Sequence, residues 1–364
     1  MMRSSSFAII LSGLITFASG CANGSAVPPA GGFNGSISAG SEVQKTRVRI
    51  QQFADLPYGS GNLTPTAVAS GPGGLVWVTE EGNGDAPESA VVGIATSGTR
   101  QRTYYYSGPN GQGAGFYDLV EGPDGALWIT DTFNLQIVRM SPQGTFTGFV
   151  LKNSDAPLNI CNGPDKALWF TVDSDPPDIG RITTSGSMKL FSFSGSENAF
   201  ANDIAVGSDG ALWFTQPNAN LIGRITPSGN VTEYSKGITA GAEPYSIAPG
   251  SDGALWFTEL RGGRIGRITT AGKVTEYSNG IAPTEQLYDL AAGPDGAMWF
   301  TEFETYGTFQ IRASKIGRIT MHGKISQYGR GVTPDAGPIG IAAGSDGRMW
   351  FEEWWISQMG RVTL

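Results

Sequence analysis

One ten-residue phrase recurs seven times along this chain of 364 residues. Its core is Gly-Pro/Ser-Asp-Gly-Ala-Leu-Trp-Phe-Thr-Glu. Clear copies occupy residues 122–131, 207–216, 250–259 and 293–302, and degenerate ones 71–80, 163–172 and 344–353. The repeat tryptophans are Trp77, Trp128, Trp169, Trp213, Trp256, Trp299 and Trp350, spaced by 51, 41, 44, 43, 43 and 51 residues. A unit of this length cannot bury its own apolar face, so neighbouring copies must stack.

Each copy carries four strand signals. An apolar strand such as 245–249 comes first, followed by an Asp-Gly turn, a strong hairpin signal. The Leu-Trp-Phe-Thr strand is second. Ile-Gly-Arg-Ile-Thr is third, beginning at Ile222, Ile265 and Ile316 and more loosely at Ile179. Val-Thr-Glu-Tyr is fourth, beginning at Val231 and Val274. Four strands per period of about 40–45 residues predict one blade of a β-propeller. Composition agrees: 53 glycines and only 15% charged residues suit a turn-rich all-β chain and exclude a coiled coil, a helical bundle or charged disorder. The expected fold is therefore an all-β, seven-bladed propeller with four antiparallel strands per blade.

The last copy stops after its third strand, at 359–364, and a matching fourth strand stands at 47–54. An N-terminal strand completing the last blade would close the ring and remove exposed sheet edges, which favours a monomer. The propeller then occupies 47–364. Residues 1–20 have the form of an export signal, with Arg3 followed by an apolar run over 7–17 that is too short to span a bilayer. Ala18-Ser19-Gly20-Cys21 resembles a bacterial lipoprotein box, with Ala where the box usually has Leu. Two placements are open: a lipid anchor on Cys21, or simple release into the periplasm or medium. Residues 21–46 form a Gly/Ser/Pro-rich tether spanning very roughly 25–30 Å as a random coil. Cys161 falls in an apolar repeat position and is expected to be a buried thiol. The net charge of −8 and the absence of a basic cluster exclude nucleic acid as a partner and leave a lipid anchor as the only membrane contact.

Blade-joining loops and second-to-third-strand loops crowd one mouth of a propeller, where ligand sites collect. Counting back 11 residues from each tryptophan gives one ring: Thr66, Tyr117, Leu158, Asn202, Tyr245, Tyr288 and Ile339. Counting forward three gives another: Glu80, Asp131, Val172, Gln216, Glu259, Glu302 and Glu353. Converging carboxylates must protonate, pair with arginine or hold a cation, and Glu259 and Glu302 are the metal-ligand candidates. The competing reading pairs these acids with Arg224, Arg267 and Arg318 of the third strands. The two 51-residue spacings place long loops at 80–91 and 303–315. Adjacent Trp354 and Trp355 could stack a planar ligand or seal the ring. The preferred patch spans blades five to seven, with Glu243, Tyr245 and Glu353 as candidate catalytic groups. Tyr117, Asn202, Tyr288, Arg261 and Trp354 are the candidate ligand contacts.

Leu-Trp-Phe-Thr-Glu followed by Lys-Ile-Gly-Arg-Ile-Thr and Gly-Lys-Val-Thr-Glu-Tyr resembles the virginiamycin B lyase (streptogramin B lyase) family over about 47–364. The resemblance implies this propeller fold and a Mg²⁺-dependent enzyme that opens a cyclic depsipeptide at its ester by elimination, with histidine as general base. The family context Glu-Pro-His-Gly-Ile falls on Gly337-Pro338-Ile339-Gly340-Ile341, so Ile339 stands in place of the histidine and Gly337 in place of an acid. A second family acid falls on Trp354, beside Glu353, and a second histidine on Tyr288. The single histidine, His322, sits in a turn between third and fourth strands. Glu243-Pro244-Tyr245 keeps the Glu-Pro-aromatic spacing two blades earlier.

Three functions follow as expectations. The first is an envelope propeller that binds a small-molecule or peptide-like ligand without catalysis. The second is a depsipeptide lyase with a relocated base, Glu243 or Glu353. The third is a lactone hydrolase using metal-bound water, with Asn202 the one amide of the first ring.

Overall fold

The computed structural model describes residues 48–53, 63–82, 89–111, 113–152, 155–193, 199–306 and 310–364. The export signal, Cys21 and the tether lie outside the described residues, as does the middle of the 80–91 loop. The described strands form seven four-stranded antiparallel sheets, each built from consecutive strands except the last. Blade 1 begins with Leu63–Gly71, blade 2 with Phe116–Glu121, blade 3 with Ala156–Asn162 and blade 4 with Ile204–Val206. Blades 5, 6 and 7 begin with Pro244–Pro249, Glu285–Ala292 and Pro338–Ala343. These first strands follow one another around the axis, and that of blade 7 packs against that of blade 1.

Closure is as the sequence predicts. Arg49–Phe53 pairs with the last strand, Gln358–Thr363, in the register Arg49↔Thr363 to Phe53↔Met359. Phe53 stacks on Trp350 at 5.2 Å, as a fourth-strand aromatic does on the tryptophan of every other blade. The extra length of blade 6 is not a loose loop over 303–315: strands Met298–Tyr306 and Gln310–Ile319 continue their ladder to Tyr306↔Gln310.

The repeated phrase explains the blade. In Gly-Ser-Asp-Gly of blade 5, the turn is closed by Gly253 N–H donating to the Gly250 carbonyl, with Gly253 at φ +76. A left-handed residue is required there, and glycine adopts it without strain. Asp252 then accepts from the Trp256 indole through Oδ1 (3.2 Å) and from the Arg267 guanidinium through Oδ2 (2.7 Å). Blades 2, 3, 4 and 6 repeat this trio. Blade 1 lacks the aspartate, and Trp77 donates to the Pro72 carbonyl instead. Arg224, Arg267 and Arg318 are thereby committed to Asp209, Asp252 and Asp295. This corrects the reading that pairs them with the second-strand acids.

Third-strand glycines seat the phenylalanines of the second strand: a Cβ on Gly266 would lie 2.0 Å from the Phe257 ring. The core thus runs between blades, with all seven repeat tryptophans buried. Cys161 is buried among Trp169, Ile204 and Phe214, as expected. First strands begin, and second strands end, at what we term the upper face. Arg49 and Leu364 lie at the lower face.

Candidate functional site

Tyr117 of blade 2 and Tyr245 of blade 5 start first strands on opposite sides of the ring, and their side chains meet across it. Tyr245 is buried and packs edge-on against Tyr288 at 5.7 Å. Tyr288 in turn stacks on Phe303 at 4.6 Å. Burial pushes the Tyr288 hydroxyl up to about 12, with Arg261 acting in the opposite direction. At the upper mouth Tyr117, Tyr245, Tyr288 and Phe303 thus form one run of aromatic contacts. Asn202 is buried too. Its amide donates to the Tyr245 carbonyl (2.9 Å), and its own carbonyl accepts from Asn159 Nδ2 (2.7 Å) and Thr171 Oγ1 (2.6 Å). It ties three blades together. Ile339 is also buried, its carbonyl accepting from Thr301 Oγ1 at 2.7 Å.

The second ring does not converge on the mouth. Along Trp256-Phe257-Thr258-Glu259 alternate side chains point to opposite faces, so Glu259 shares the face of Phe257, toward the preceding blade. All seven members of the ring are buried between blades. Five of them, in blades 1, 4, 5, 6 and 7, lie beside a side chain of the fourth strand of their own blade, whereas Asp131 is held by the third-strand Gln136 and by Asn134. Glu302 accepts from Gln327 (2.8 Å), and Glu353 accepts from Gln52 through both oxygens (2.8 and 2.7 Å). Gln216 donates to Glu233 (2.9 Å). Glu80 pairs with Arg100 (2.6 Å), and Asp131 accepts from Gln136 and Asn134 (both 2.8 Å). Glu259 lies beside Glu276, 3.9 Å from Arg264. Burial, reinforced by Glu276, raises its pKa to about 9. Burial also raises Glu302 and Glu353 to about 7.

Glu353, the catalytic candidate, and Glu259 and Glu302, the metal candidates, are thus buried between blades and not gathered at the mouth. They sit in three different interfaces. Among the described residues no three His, Cys, Asp or Glu side chains are grouped to hold a metal ion.

The groups that do reach the upper surface belong to loops. Glu243, at φ +55, forms an ion pair with Arg261 (2.6 Å), and Arg261 is 60% exposed. Trp354 and Trp355 occupy the short 3-10 turn Trp354–Ile356, perpendicular to each other at 5.1 Å. Their N–H groups donate to the Gly337 and Ala336 carbonyls, and Trp355 remains 44% exposed. His322 is exposed in its turn on the lower rim.

One layer below the tyrosines lies a belt absent from the sequence reading. Ten residues before the tryptophans of blades 2 to 6 stand Asp118, Asn159, Asp203, Ser246 and Asp289, all buried. Asp118 accepts from Ile160 N–H, Asp203 from Ile247 N–H and Asp289 from Ile341 N–H, each clasping the next blade (2.8, 2.7 and 2.8 Å). Burial, and then the mutual repulsion of these acids, holds Asp118 and Asp289 well above the usual carboxylate range. The signal was a small polar residue one place before the strict apolar position.

A family model described as the Virginiamycin B lyase family matches residues 51–311 and 238–364. A streptogramin B lyase structure is 30% identical over 87% of this chain and 98% of its own, with a TM-score of 0.74. A catalytically inactive histidine-to-alanine variant of virginiamycin B lyase from Staphylococcus aureus, with quinupristin, is 31% identical over 87% of this chain and all of its own, at a TM-score of 0.73. An extracellular domain from B. thetaiotaomicron shares the fold alone, at 14% identity over 86% of this chain and 42% of its own, with a TM-score of 0.66. No curated protein matches the chain. With matched segments running from residue 51 to 364, this chain belongs to the virginiamycin B lyase family.

Proposed function

We propose that the chain is a virginiamycin B lyase-like propeller that binds a peptide-like ligand at its upper face without opening it. One observation carries this reading. Where the family resemblance implies the general base, the chain has the buried Ile339, and the second-strand acids nearby are engaged between blades. Isoleucine cannot take a proton, and general-base catalysis typically contributes 10²–10⁴-fold. What the upper face offers is recognition. In blade 7 Trp355 presents an apolar ring and Trp354 braces it edge-on, and in blade 5 the Arg261–Glu243 pair supplies a separate polar group. The S. aureus relative is described with quinupristin, and a cyclic depsipeptide with aromatic groups suits such a platform.

Export is part of the proposal, with Cys21 as the site of a lipid anchor or the chain released after residue 20. Because Arg49 enters at the lower face, a tether there would hold the upper face away from a membrane.

The test is titration of the purified protein with quinupristin, followed by tryptophan fluorescence and by mass and chromatography of the recovered ligand. We expect saturable quenching, an unchanged ligand, and affinity reduced at least about tenfold by Trp355→Ala, or roughly 1.4 kcal/mol. An isomer of equal mass would replace this reading with a lyase whose base has moved. A product heavier by one water would replace it with a hydrolase.

A further inference from the structure

Two residues after the repeat tryptophan, six blades carry threonine: Thr79, Thr130, Thr171, Thr215, Thr258 and Thr301. Four of these hydroxyls donate to the carbonyl that opens the next blade: Thr171 to Asn202 (2.6 Å), Thr215 to Tyr245 (2.6 Å), Thr258 to Tyr288 (2.8 Å) and Thr301 to Ile339 (2.7 Å). Blade 7 has Glu352 instead. A second exchange accompanies it. The belt position that carries Asp, Asn or Ser in blades 2 to 6 is Gly340 here, and a Cβ on Gly340 would lie 2.6 Å from Glu352 Oε1. The longer acid fits because its neighbour has no side chain.

Glu352 is wholly buried; no side chain among the described residues hydrogen-bonds its carboxyl oxygens, and the Gly340 backbone of its own blade lies beside them. It lies on the same side of its strand as Trp350, which packs with Val68, Val76, Val78 and Val92 of blade 1. The two ends of the chain pair inside blade 7, so the blade that meets blade 1 across this seam is itself built from both. Charged neighbours are already committed. Glu80, from the second strand of blade 1, is held by Arg100. Arg361, from the third strand of blade 7, covers Trp350 and donates to the Thr96 carbonyl. Asp289, from blade 6, accepts from Ile341 N–H. The first strands of blades 7 and 1 contain no titratable residue. Burial alone raises Glu352 to about 8, with the Gly340 backbone opposing.

A hydroxyl can donate at any pH, whereas a carboxyl donates only when protonated. We propose that Glu352 is a proton-operated latch on the ring: neutral, it is accommodated in the closed seam between blades 7 and 1; ionised, it loosens that seam. The folded state binds this proton more tightly than the unfolded chain does. The favourable linkage is therefore complete below about 4.5 and lost as pH rises through about 8.

Amide hydrogen exchange of the full chain between pH 5 and 9, corrected for intrinsic rates, tests this. In the wild type, protection of the first strands of blades 7 and 1 should fall by at least about tenfold more than in Glu352→Gln. Equal losses in both proteins would overturn the proposal. If Glu352→Gln does not fold, Glu352→Thr restores the side chain of the other six blades and serves the same comparison. Infrared titration of the wild type gives an independent reading. A carboxylic-acid band persisting above pH 7 and lost in a Glu352 variant supports the latch, and its absence at pH 7 refutes it.

Discussion

Gln52 belongs to the first described strand, and Glu353 lies near the end of the chain, yet three atoms join them: Gln52 Nε2 donates to both oxygens of Glu353. The same amide also lies 2.7 Å from Thr333 Oγ1. Gln52→Ala should leave a buried carboxyl short of donors, at a cost of about 1–3 kcal/mol. The folded pKa of Glu353, already about 7, would then rise further, so the penalty should be larger at pH 8 than at pH 5. Chemical denaturation at both pH values measures this; an equal loss would show that the pair contributes only packing. Such pairings explain what could not be read from residues alone. That Glu353 stands three places after Trp350 is visible in the sequence. Its facing the preceding blade follows from strand alternation combined with the direction of ring stacking, which a single repeat does not reveal. Asn202 and Tyr245 were picked out for their residue types, and their roles turn on backbone carbonyls of the adjacent blades.

At the scale of the strand the sequence is far more explicit. Asp-Gly turns, period-two alternation and the Ile-Gly-Arg-Ile strand predict the ladders of the regular blades, because each is a local rule of turn chemistry and pleat. The third-strand glycine is the least obvious of these rules. Gly266→Ala should destabilise by roughly 1–3 kcal/mol, because the new methyl collides with the Phe257 ring and not with a flexible side chain end. Gly210→Ala provides the contrast: there the space is open, and only the left-handed backbone at φ +72 is strained, so about 1 kcal/mol is expected. Calorimetry of both variants ranks the two effects, and the reverse order would mean that the phenylalanine yields readily. The extended hairpin of blade 6 was misjudged as a loop because its sequence, 303–315, carries no tryptophan register to anchor it.

For the molecule as a whole, the buried acids set a direction. Asp118, Asp289, Glu259, Glu302, Glu352 and Glu353 all titrate above their ordinary values, chiefly through burial. Each stabilises the fold below its unfolded pKa and ceases to do so as pH rises through its folded one. Asp124, Asp165, Asp209, Asp252 and Asp295 behave oppositely. Burial acts against ionisation, but bonds from tryptophan and arginine outweigh it, so their contribution is lost only as pH falls below the usual carboxylate range. The melting temperature should therefore peak between about pH 4 and 6 and decline toward pH 9; a steady rise to pH 8.5 would contradict it. The seven-fold count and the closure were legible because they are global properties of the repeat; the acidic interior was not, since burial of a polar position appears only when the ring is assembled. Closure has a mechanical side as well. Any pull on the chain ahead of Arg49 is delivered first to Arg49↔Thr363, at one end of a ladder of five residue pairs. Load applied there reaches these five pairs before any other blade, so the strand that completes the circle is also the one through which traction enters the ring.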